Sequence, residues 1–168
     1  MQENSLTHLT IREFEDGLAQ VFHDINAEWI ESMFRMEQAD REVLLHPRTH
    51  IIEPGGTILF VEAPALGVIG TCALRKASSG CFELTKMGVR KDARGLKAGE
   101  FLLTAALQRA ERLGATTLYL LTNARCAPAI HLYEKHGFVH DLEIMARFGD
   151  RYDRCDVAMR FAGTSEPV

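Results

Sequence analysis

The stretch that most constrains the fold is an apolar strand that runs into a glycine-bearing turn and then into a helix. Cys81 to Val89 alternates like a strand, the turn holds Gly95, and a helical stripe from Lys97 to Leu113 is closed by Gly114. The first N–H groups of a helix have no intrahelical partner and carry partial positive charge. The stretch therefore predicts a site for pyrophosphate or another polyanion.

Three kinds of phosphate-binding loop join a strand to a helix in this way. A Walker loop needs Gly-Lys-Ser/Thr at the helix start, where this chain has Ala98, Gly99 and Glu100. A dinucleotide fingerprint needs three spaced glycines and an acidic residue about 20 positions later. The chain has only Gly95 and Gly99, and no acid at that offset. The third kind is an acetyl-CoA loop with the pattern Arg/Gln-x-x-Gly-x-Gly/Ala.

Composition indicates an ordinary globular protein. A chain of 168 residues suits one domain, and we predict a single domain over residues 1–161 with a flexible tail over 162–168. The net charge of -4 and the absence of a basic run give no reason to expect nucleic-acid binding. No apolar run approaches the ~18 residues of a membrane span, so no membrane contact is expected. The cysteines are scattered without a C-x-x-C pair, which favours reduced thiols in a cytoplasmic protein and no metal site.

The apolar periodicity predicts a mixed α/β fold in a single domain. Seven strands are predicted, over His8–Phe14, Thr57–Glu62, Leu66–Arg75, Cys81–Val89, Thr116–Leu121, Phe138–Met145 and Asp153–Phe161. Four helices are predicted, over Asp16–Met36, Gln38–His46, Lys97–Leu113 and Pro128–His136. This order indicates a mostly antiparallel central sheet of about seven strands, flanked by about four helices, with one βαβ crossover around the loop.

Four motifs, in order, resemble those of the GNAT N-acetyltransferase superfamily. Arg94-Gly95-Leu96-Lys97-Ala98-Gly99 is similar to its acetyl-CoA loop, with a lysine in place of the middle glycine. Glu83–Val89 resembles the strand before that loop, and Leu121-Thr122-Asn123 resembles the end of the next strand. Ala129–Phe138 is similar to the family segment A-x-x-L-Y-x-x-x-G-F. The resemblance implies a GNAT-like fold.

The resemblance covers about Gly80 to Phe138 and implies which residues contact acetyl-CoA. In the family, backbone groups of the strand bind the pantetheine arm like an added strand, the loop holds the pyrophosphate, and an asparagine often touches pantetheine. Carried over to this chain, the implied cofactor-binding residues are Met87, Gly88, Val89, Arg94, Gly95, Leu96, Lys97, Ala98, Gly99, Glu100 and Asn123.

Two residues are the predicted catalytic groups. The resemblance implies that Tyr133 lies near the CoA sulfur, where a proton donor helps the thiolate to leave; the alternative is an aromatic ring packed in the core. Glu83 lies six residues before Val89, and strand alternation puts both on one face, with Lys86 on the other, solvated face. Some family members carry a catalytic glutamate at this offset, which takes the proton of the amine. The alternative is a surface carboxylate at a strand start.

The sequence therefore predicts an N-acetyltransferase that uses acetyl-CoA as its acetyl donor. The acceptor is a primary amine of a small molecule or a peptide, which attacks directly in a ternary complex. A non-catalytic acyl-CoA-binding or sensing module of the same fold is the alternative. Analogy with the family leaves a homodimer open.

Overall fold

Seven strands form one sheet in the computed structural model, which describes residues 8–163. They are β1 (Thr10–Glu13), β2 (Thr57–Ala63), β3 (Gly67–Ser78), β4 (Cys81–Val89), β5 (Thr117–Thr122), β6 (Phe138–His140) and β7 (Val157–Phe161). The spatial order is β1-β2-β3-β4-β5-β7-β6, and of these neighbouring pairs only β4 and β5 run parallel. The predicted mixed α/β fold with a mostly antiparallel sheet is confirmed.

Within residues 8–163, five α-helices, one more than predicted, pack on the sheet. They are α1 (Ala19–Met33), α2 (Gln38–Leu45), α3 (Ala98–Arg112), α4 (Ala127–Lys135) and α5 (Leu142–Phe148). Helices α3 and α4 pack with Leu59 and Val61, whereas α1 and α2 pack with Ile58 and Phe60. Because successive strand residues point to opposite faces, these helix pairs lie on opposite sides of the sheet. No helix in residues 8–163 is long and apolar enough to cross a membrane.

The predicted strand over Phe138–Met145 is wrong beyond its first three residues, because α5 takes up the rest. Asp141 caps this helix by accepting the backbone N–H of Ile144 at 2.9 Å. Ile144 is buried beside Tyr119, and the ring of Phe148 stacks on the Tyr119 ring at 4.2 Å between centroids. Burial of one helical face against Tyr119 thus decides the local structure.

The predicted tail begins with an anchored residue. The backbone N–H of Ala162 donates to the carbonyl of Gly137 at 2.8 Å. The rest of the predicted tail, from residue 164, lies outside the described residues, as do residues 1–7 of the predicted domain.

A β-bulge interrupts β4 at Lys86. Thr85 pairs with Ala73 of β3, whereas Gly88 pairs with Thr71, so two residues of β4 stand opposite one residue of β3. Lys86 has a left-handed φ of 53°, which a lysine rarely adopts. The chain on either side of the bulge is therefore one residue out of phase.

The bulge overturns the predicted alternation of β4. Met87 and Val89 pack into the core beneath α3, together with Leu84. Glu83 points to the opposite face, where its carboxylate lies 3.7 Å from the Nε of Arg151. Glu83 and Val89 therefore do not share a face, because the inserted residue reverses the phase between them.

The prediction of a solvated Lys86 is also wrong, because its ammonium group is buried in an ion cluster. Lys86 Nζ lies 3.0 Å from Asp40 Oδ1. Both terminal nitrogens of Arg154 donate to the same carboxylate at 2.7 Å. Asp40 also accepts the backbone N–H of Glu37 at 2.9 Å, within a capping box that starts α2. One carboxylate thus joins α2, the bulge of β4 and the segment before β7.

The cations around Asp40 favour its ionised form in the folded protein. Burial alone would raise the pKa of Asp40, but the hydrogen bonds from Arg154 and the charge of Lys86 outweigh it and lower the pKa. A pKa lowered in the folded state means that the carboxylate stabilises the fold above its ordinary range, about pH 4. This contribution is lost as the pH falls further.

We expect Asp40→Asn to lower the free energy of unfolding by about 3–5 kcal/mol, because the buried ammonium group of Lys86 loses its ion-pair partner and the part-buried Arg154 loses the carboxylate that accepts two of its hydrogen bonds. Urea denaturation at neutral pH measures this loss. The matched control is Asp153→Asn, which breaks an ion pair with Arg35 in which both side chains are largely exposed. That change should lower the same free energy by less than about 1 kcal/mol.

The pH dependence of the unfolding free energy provides a second test of the Asp40→Asn variant. The wild-type protein should lose stability steeply below about pH 4, and the Asp40→Asn variant should lose less over that range. Equal acid sensitivity of the two proteins, or equal losses for Asp40→Asn and Asp153→Asn at neutral pH, would contradict the assigned role of Asp40.

Candidate functional site

Strands β4 and β5 separate partway along their length. They pair only from Cys81 to Glu83 of β4, opposite Thr117 to Tyr119 of β5. Beyond Glu83, β4 pairs with β3 and β5 pairs with β7. The β5-facing edge of β4 from Leu84 to Val89 therefore has no strand partner within residues 8–163. An extended ligand can bind such an edge as an added strand.

The loop after β4 keeps the backbone shape of a glycine-rich loop. Gly95 has a φ of 93°, in the left-handed region that favours glycine. Lys97, at the position where the family pattern has its middle glycine, also takes a left-handed conformation, with a φ of 60°. The substitution thus leaves the turn intact at the expense of some backbone strain.

The N-terminus of α3 presents free donors beside this loop. The first intrahelical bond runs from the N–H of Phe101 to the carbonyl of Lys97 at 3.1 Å. Within the described residues, the N–H groups of Ala98, Gly99 and Glu100 have no acceptor, and no side chain caps the helix. Arg94 is exposed in the turn just before them. Together these groups can bind a polyanion.

Two further residues of the predicted site, Gly99 and Glu100, lie in the first turn of α3. A Cβ added to Gly99 would meet only Leu132 at 3.6 Å and Met87 at 3.9 Å, which are ordinary contacts. The carboxylate of Glu100 is 3.0 Å from Lys135 Nζ, and this hydrogen bond lowers the pKa of Glu100. Glu100 can therefore contribute its backbone N–H to an anion while Lys135 neutralises its side chain.

Tyr133 lies on the same face of the sheet as α3. Its ring packs edge-on against Phe138, with centroids 5.8 Å apart, and the residue is buried. Within the described residues its hydroxyl makes no hydrogen bond. Burial raises the pKa of Tyr133, with further contributions from the thiols of Cys72 and Cys126. The phenol is therefore protonated at neutral pH and able to donate a proton.

Glu83 lies at the point where β4 and β5 separate, on the face opposite Tyr133. It is 1% exposed. Its carboxylate accepts a hydrogen bond from Arg75 Nε at 2.9 Å, and Arg151 Nε lies 3.7 Å away. Glu83 is thus a buried counter-ion of two guanidinium groups, which excludes the alternative of a surface carboxylate, and its role as the base stays a prediction.

Two other predicted cofactor residues have contacts within the protein. The amide nitrogen of Asn123 donates to the carbonyl of Arg154 at 2.7 Å, and its amide oxygen accepts the N–H of Arg125 at 2.8 Å. A Cβ at Gly88 would lie 2.6 Å from Trp29 of α1. Gly88 therefore lets Trp29 pack on the bulge. The predicted contacts of Asn123 and Gly88 with pantetheine stay predictions.

Sequence reasoning missed a cluster on the segment between α5 and β7. The hydroxyl of Tyr152 accepts hydrogen bonds from Lys86 Nζ at 3.1 Å and Arg151 Nε at 3.3 Å. It also lies 3.4 Å from the hydroxyl of Thr85. The segment has no apolar periodicity, and only its density of arginine and tyrosine could have indicated a site. Within residues 8–163, no three His, Cys, Asp or Glu side chains are grouped to hold a metal.

The comparison with known proteins agrees with this geometry. The sequence profile of the Acetyltransferase (GNAT) family matches residues 12–138. The chain belongs to the GNAT acetyltransferase family. The matched region of this GNAT protein includes the diverging strands, the loop, α3 and Tyr133.

Three individual proteins that resemble this chain share about a third of their residues with it, or fewer, over the matched region. An uncharacterized N-acetyltransferase of Schizosaccharomyces pombe is 31% identical over 96 residues, and the match spans 56% of this chain and 59% of that protein. A GNAT-family acetyltransferase from Staphylococcus aureus has the same fold, with a TM-score of 0.80, 18% identity, and coverage of 90% of this chain and 97% of that one. Spermidine N-acetyltransferase from Vibrio cholerae, in complex with CoA and spermine, has a TM-score of 0.62 and 23% identity, covering 80% of this chain and 83% of that one.

Proposed function

We propose that this GNAT protein transfers the acetyl group of acetyl-CoA to a primary amine of a small molecule or a peptide. The observation that carries the proposal is the opening between β4 and β5, which has free backbone groups along one edge and the donor-rich N-terminus of α3 on the same face. The fold neighbour from Vibrio cholerae, which holds CoA, supports the same ligand. Family membership supports an acyl-CoA-dependent reaction.

The proposed donor site divides acetyl-CoA into parts that match the groups available. The pyrophosphate lies on the first N–H groups of α3, from Ala98 to Glu100, with Arg94 as an added cation. The pantetheine arm lies along the unpaired edge of β4 near Met87 and Val89. Leu96 and Lys97 complete the loop around the pyrophosphate. This arrangement brings the thioester to the opening in the sheet.

The proposed reaction is a direct attack on the thioester. The neutral amine attacks the carbonyl carbon, a C–N bond forms, the C–S bond breaks, and the amine nitrogen loses one proton. Tyr133 donates its phenolic proton to the departing thiolate, a role that its protonated, hydrogen-bond-free hydroxyl supports. Free backbone N–H groups of β4 beside the opening can polarise the thioester oxygen.

Two roles for Glu83 follow from its position at the opening. The sequence-based proposal is that it accepts the proton of the amine, directly or through a water. Its burial between Arg75 and Arg151 supports a second role, in which it positions Arg151 as a counter-ion and water takes the proton. The two roles predict different dependences of the rate on pH.

A non-catalytic acyl-CoA-binding module is the second candidate function. It needs the loop and the free edge of β4, but it has no need for a proton donor beside the opening. CoA release that depends on an added amine separates the two candidates. An amine panel with a thiol-reactive dye therefore tests the proposal, and binding without any amine-dependent release would favour the module.

The first prediction concerns the donor site. CoA should raise the melting temperature, because a ligand that binds only the folded state stabilises it. Gly99→Val should abolish this rise, since the added side chain occupies the space in which the backbone meets the ligand. The control is Gly17→Val, where an added Cβ would meet no atom within 4 Å. No shift with millimolar CoA in the unmodified protein would refute the proposed donor site.

The second prediction concerns Tyr133. Tyr133→Phe removes the hydroxyl and keeps the ring, so the melting temperature and its rise with CoA should hardly change. Turnover should fall by about 10²-fold, the usual lower range of general acid catalysis. An unchanged turnover number, with chemistry shown to limit the rate, would leave Tyr133 as a packing residue.

The third prediction separates the two roles of Glu83. Glu83→Gln keeps the size of the side chain but removes its charge, so Arg75 and Arg151 lose their counter-ion. We expect kcat/KM to fall by about 10²-fold, as for a misplaced binding group, and by the same factor at every pH. A loss that shrinks as the pH approaches about 10, where the amine deprotonates unaided, would instead establish Glu83 as the base.

A further inference from the structure

A surface cavity lies on the face of the sheet opposite the proposed donor site. It is formed by the segment between α1 and α2, the start of α2, and the segment after α5. Its lining residues are Arg35, Met36, Glu37, Gln38, Ala39, Arg41, Arg151 and Asp153. Three of these are arginines, and we refer to this space as the arginine cavity.

One side chain, that of Arg151, connects the arginine cavity with the opening between β4 and β5. This side chain lines the cavity, and its Nε lies 3.3 Å from the Tyr152 hydroxyl and 3.7 Å from Glu83. Glu83 is the last residue of β4 that pairs with β5. Arg151 is therefore placed to contact both a molecule in the cavity and the residues at the opening.

The two acidic residues of the cavity are committed to other groups. Glu37 accepts the backbone N–H groups of Asp153 at 2.7 Å and Arg154 at 3.3 Å. Asp153 forms an ion pair with Arg35 at 3.0 Å. Both carboxylates therefore already have partners within the protein, Glu37 in backbone N–H groups and Asp153 in an exposed guanidinium group.

Two arginines, in contrast, have unused donors. Arg41 is exposed and forms no ion pair or side-chain hydrogen bond within residues 8–163. Arg151 donates one hydrogen bond, from Nε to Tyr152, so within the described part of the chain its terminal nitrogens have no acceptor. A guanidinium fork matches the two oxygens of a carboxylate or a phosphate. The free hydrogen-bonding capacity of the cavity is thus cationic.

We propose that the acceptor is a primary amine that also carries an anionic group, a carboxylate or a phosphonate-type oxyanion, held by Arg41 and Arg151. The amine then points past Arg151 to the opening. This inference rests on the proposed acetyl transfer. A polyamine is disfavoured, because its second ammonium group would lie beside the guanidinium groups of Arg41 and Arg151 and would offer them no oxyanion.

Matched amines test the inference with the full-length protein. β-Alanine is compared with its amide, 2-aminoethylphosphonate with ethanolamine, and both pairs with putrescine. The measured quantity is kcat/KM for CoA release, expressed per concentration of neutral amine. We expect each anionic amine to exceed its neutral partner by at least about 10-fold, as a charge-assisted hydrogen bond allows. The ratio of β-alanine to 2-aminoethylphosphonate distinguishes a carboxylate site from a phosphonate site.

A variant of Arg41 connects this preference to the cavity. Arg41→Gln should raise KM for the anionic amines by about 10-fold or more, with kcat and the KM for acetyl-CoA unchanged. Because Arg41 is exposed, its replacement should leave the fold intact, and an unchanged melting temperature checks this. The matched control is Arg112→Gln, an exposed arginine in the last turn of α3, which should change none of these constants.

The possible failures are distinguishable. If amines release CoA but neutral amines or putrescine serve as well as the anionic ones, the acceptor inference is wrong and the proposed function stands. The same holds if Arg41→Gln and Arg112→Gln have equal effects. If CoA raises the melting temperature but no amine releases it, the proposed enzyme activity fails, and this inference fails with it.

Discussion

One buried carboxylate, that of Asp40, holds together the elements on which the transfer site depends. It starts α2, neutralises Lys86 in the bulge of β4, and anchors Arg154 before β7. These three elements are far apart in the sequence. Without this carboxylate, the buried ammonium group of Lys86 would carry a large desolvation cost, so the bulge and the carboxylate require each other.

The bulge in turn sets which side chains meet at the opening between β4 and β5. Because it reverses the phase of β4, Glu83 faces Arg151, while Met87 and Val89 face α3 and the loop. In a regular strand, Glu83, Met87 and Val89 would all lie on one face. The bulge therefore lets β4 contribute Glu83 to the ion pairs on one face and Met87 and Val89 to the apolar core on the other.

Local patterns were sufficient to predict much of this fold. The strand borders of β4, the helix after the loop and the position of Tyr133 follow from periodicity and from motif spacing, both of which are local signals. The bulge could not be predicted in the same way, because it depends on Asp40, a distant residue whose carboxylate pairs with the lysine of positive φ. Helix α5 had a readable signal, an aspartate cap before helical spacing, but its apolar residues also suit a strand. The arginine cavity could not be predicted from local patterns, because its lining combines residues 35–41 with Arg151 and Asp153, which are more than 100 residues away in the sequence.

The two faces of the sheet have an evolutionary consequence. The loop after β4, α3 and Tyr133 lie on one face of the sheet, Arg41 and the arginine cavity lie on the other, and the opening between β4 and β5 lies between them. Substitutions on one face can therefore change which ligand that face binds without disturbing the residues on the other face. Under the proposed function, a few substitutions between α1 and α2 in a duplicated gene could change which amine the protein accepts. The proposed acetyl-CoA site would be inherited unchanged.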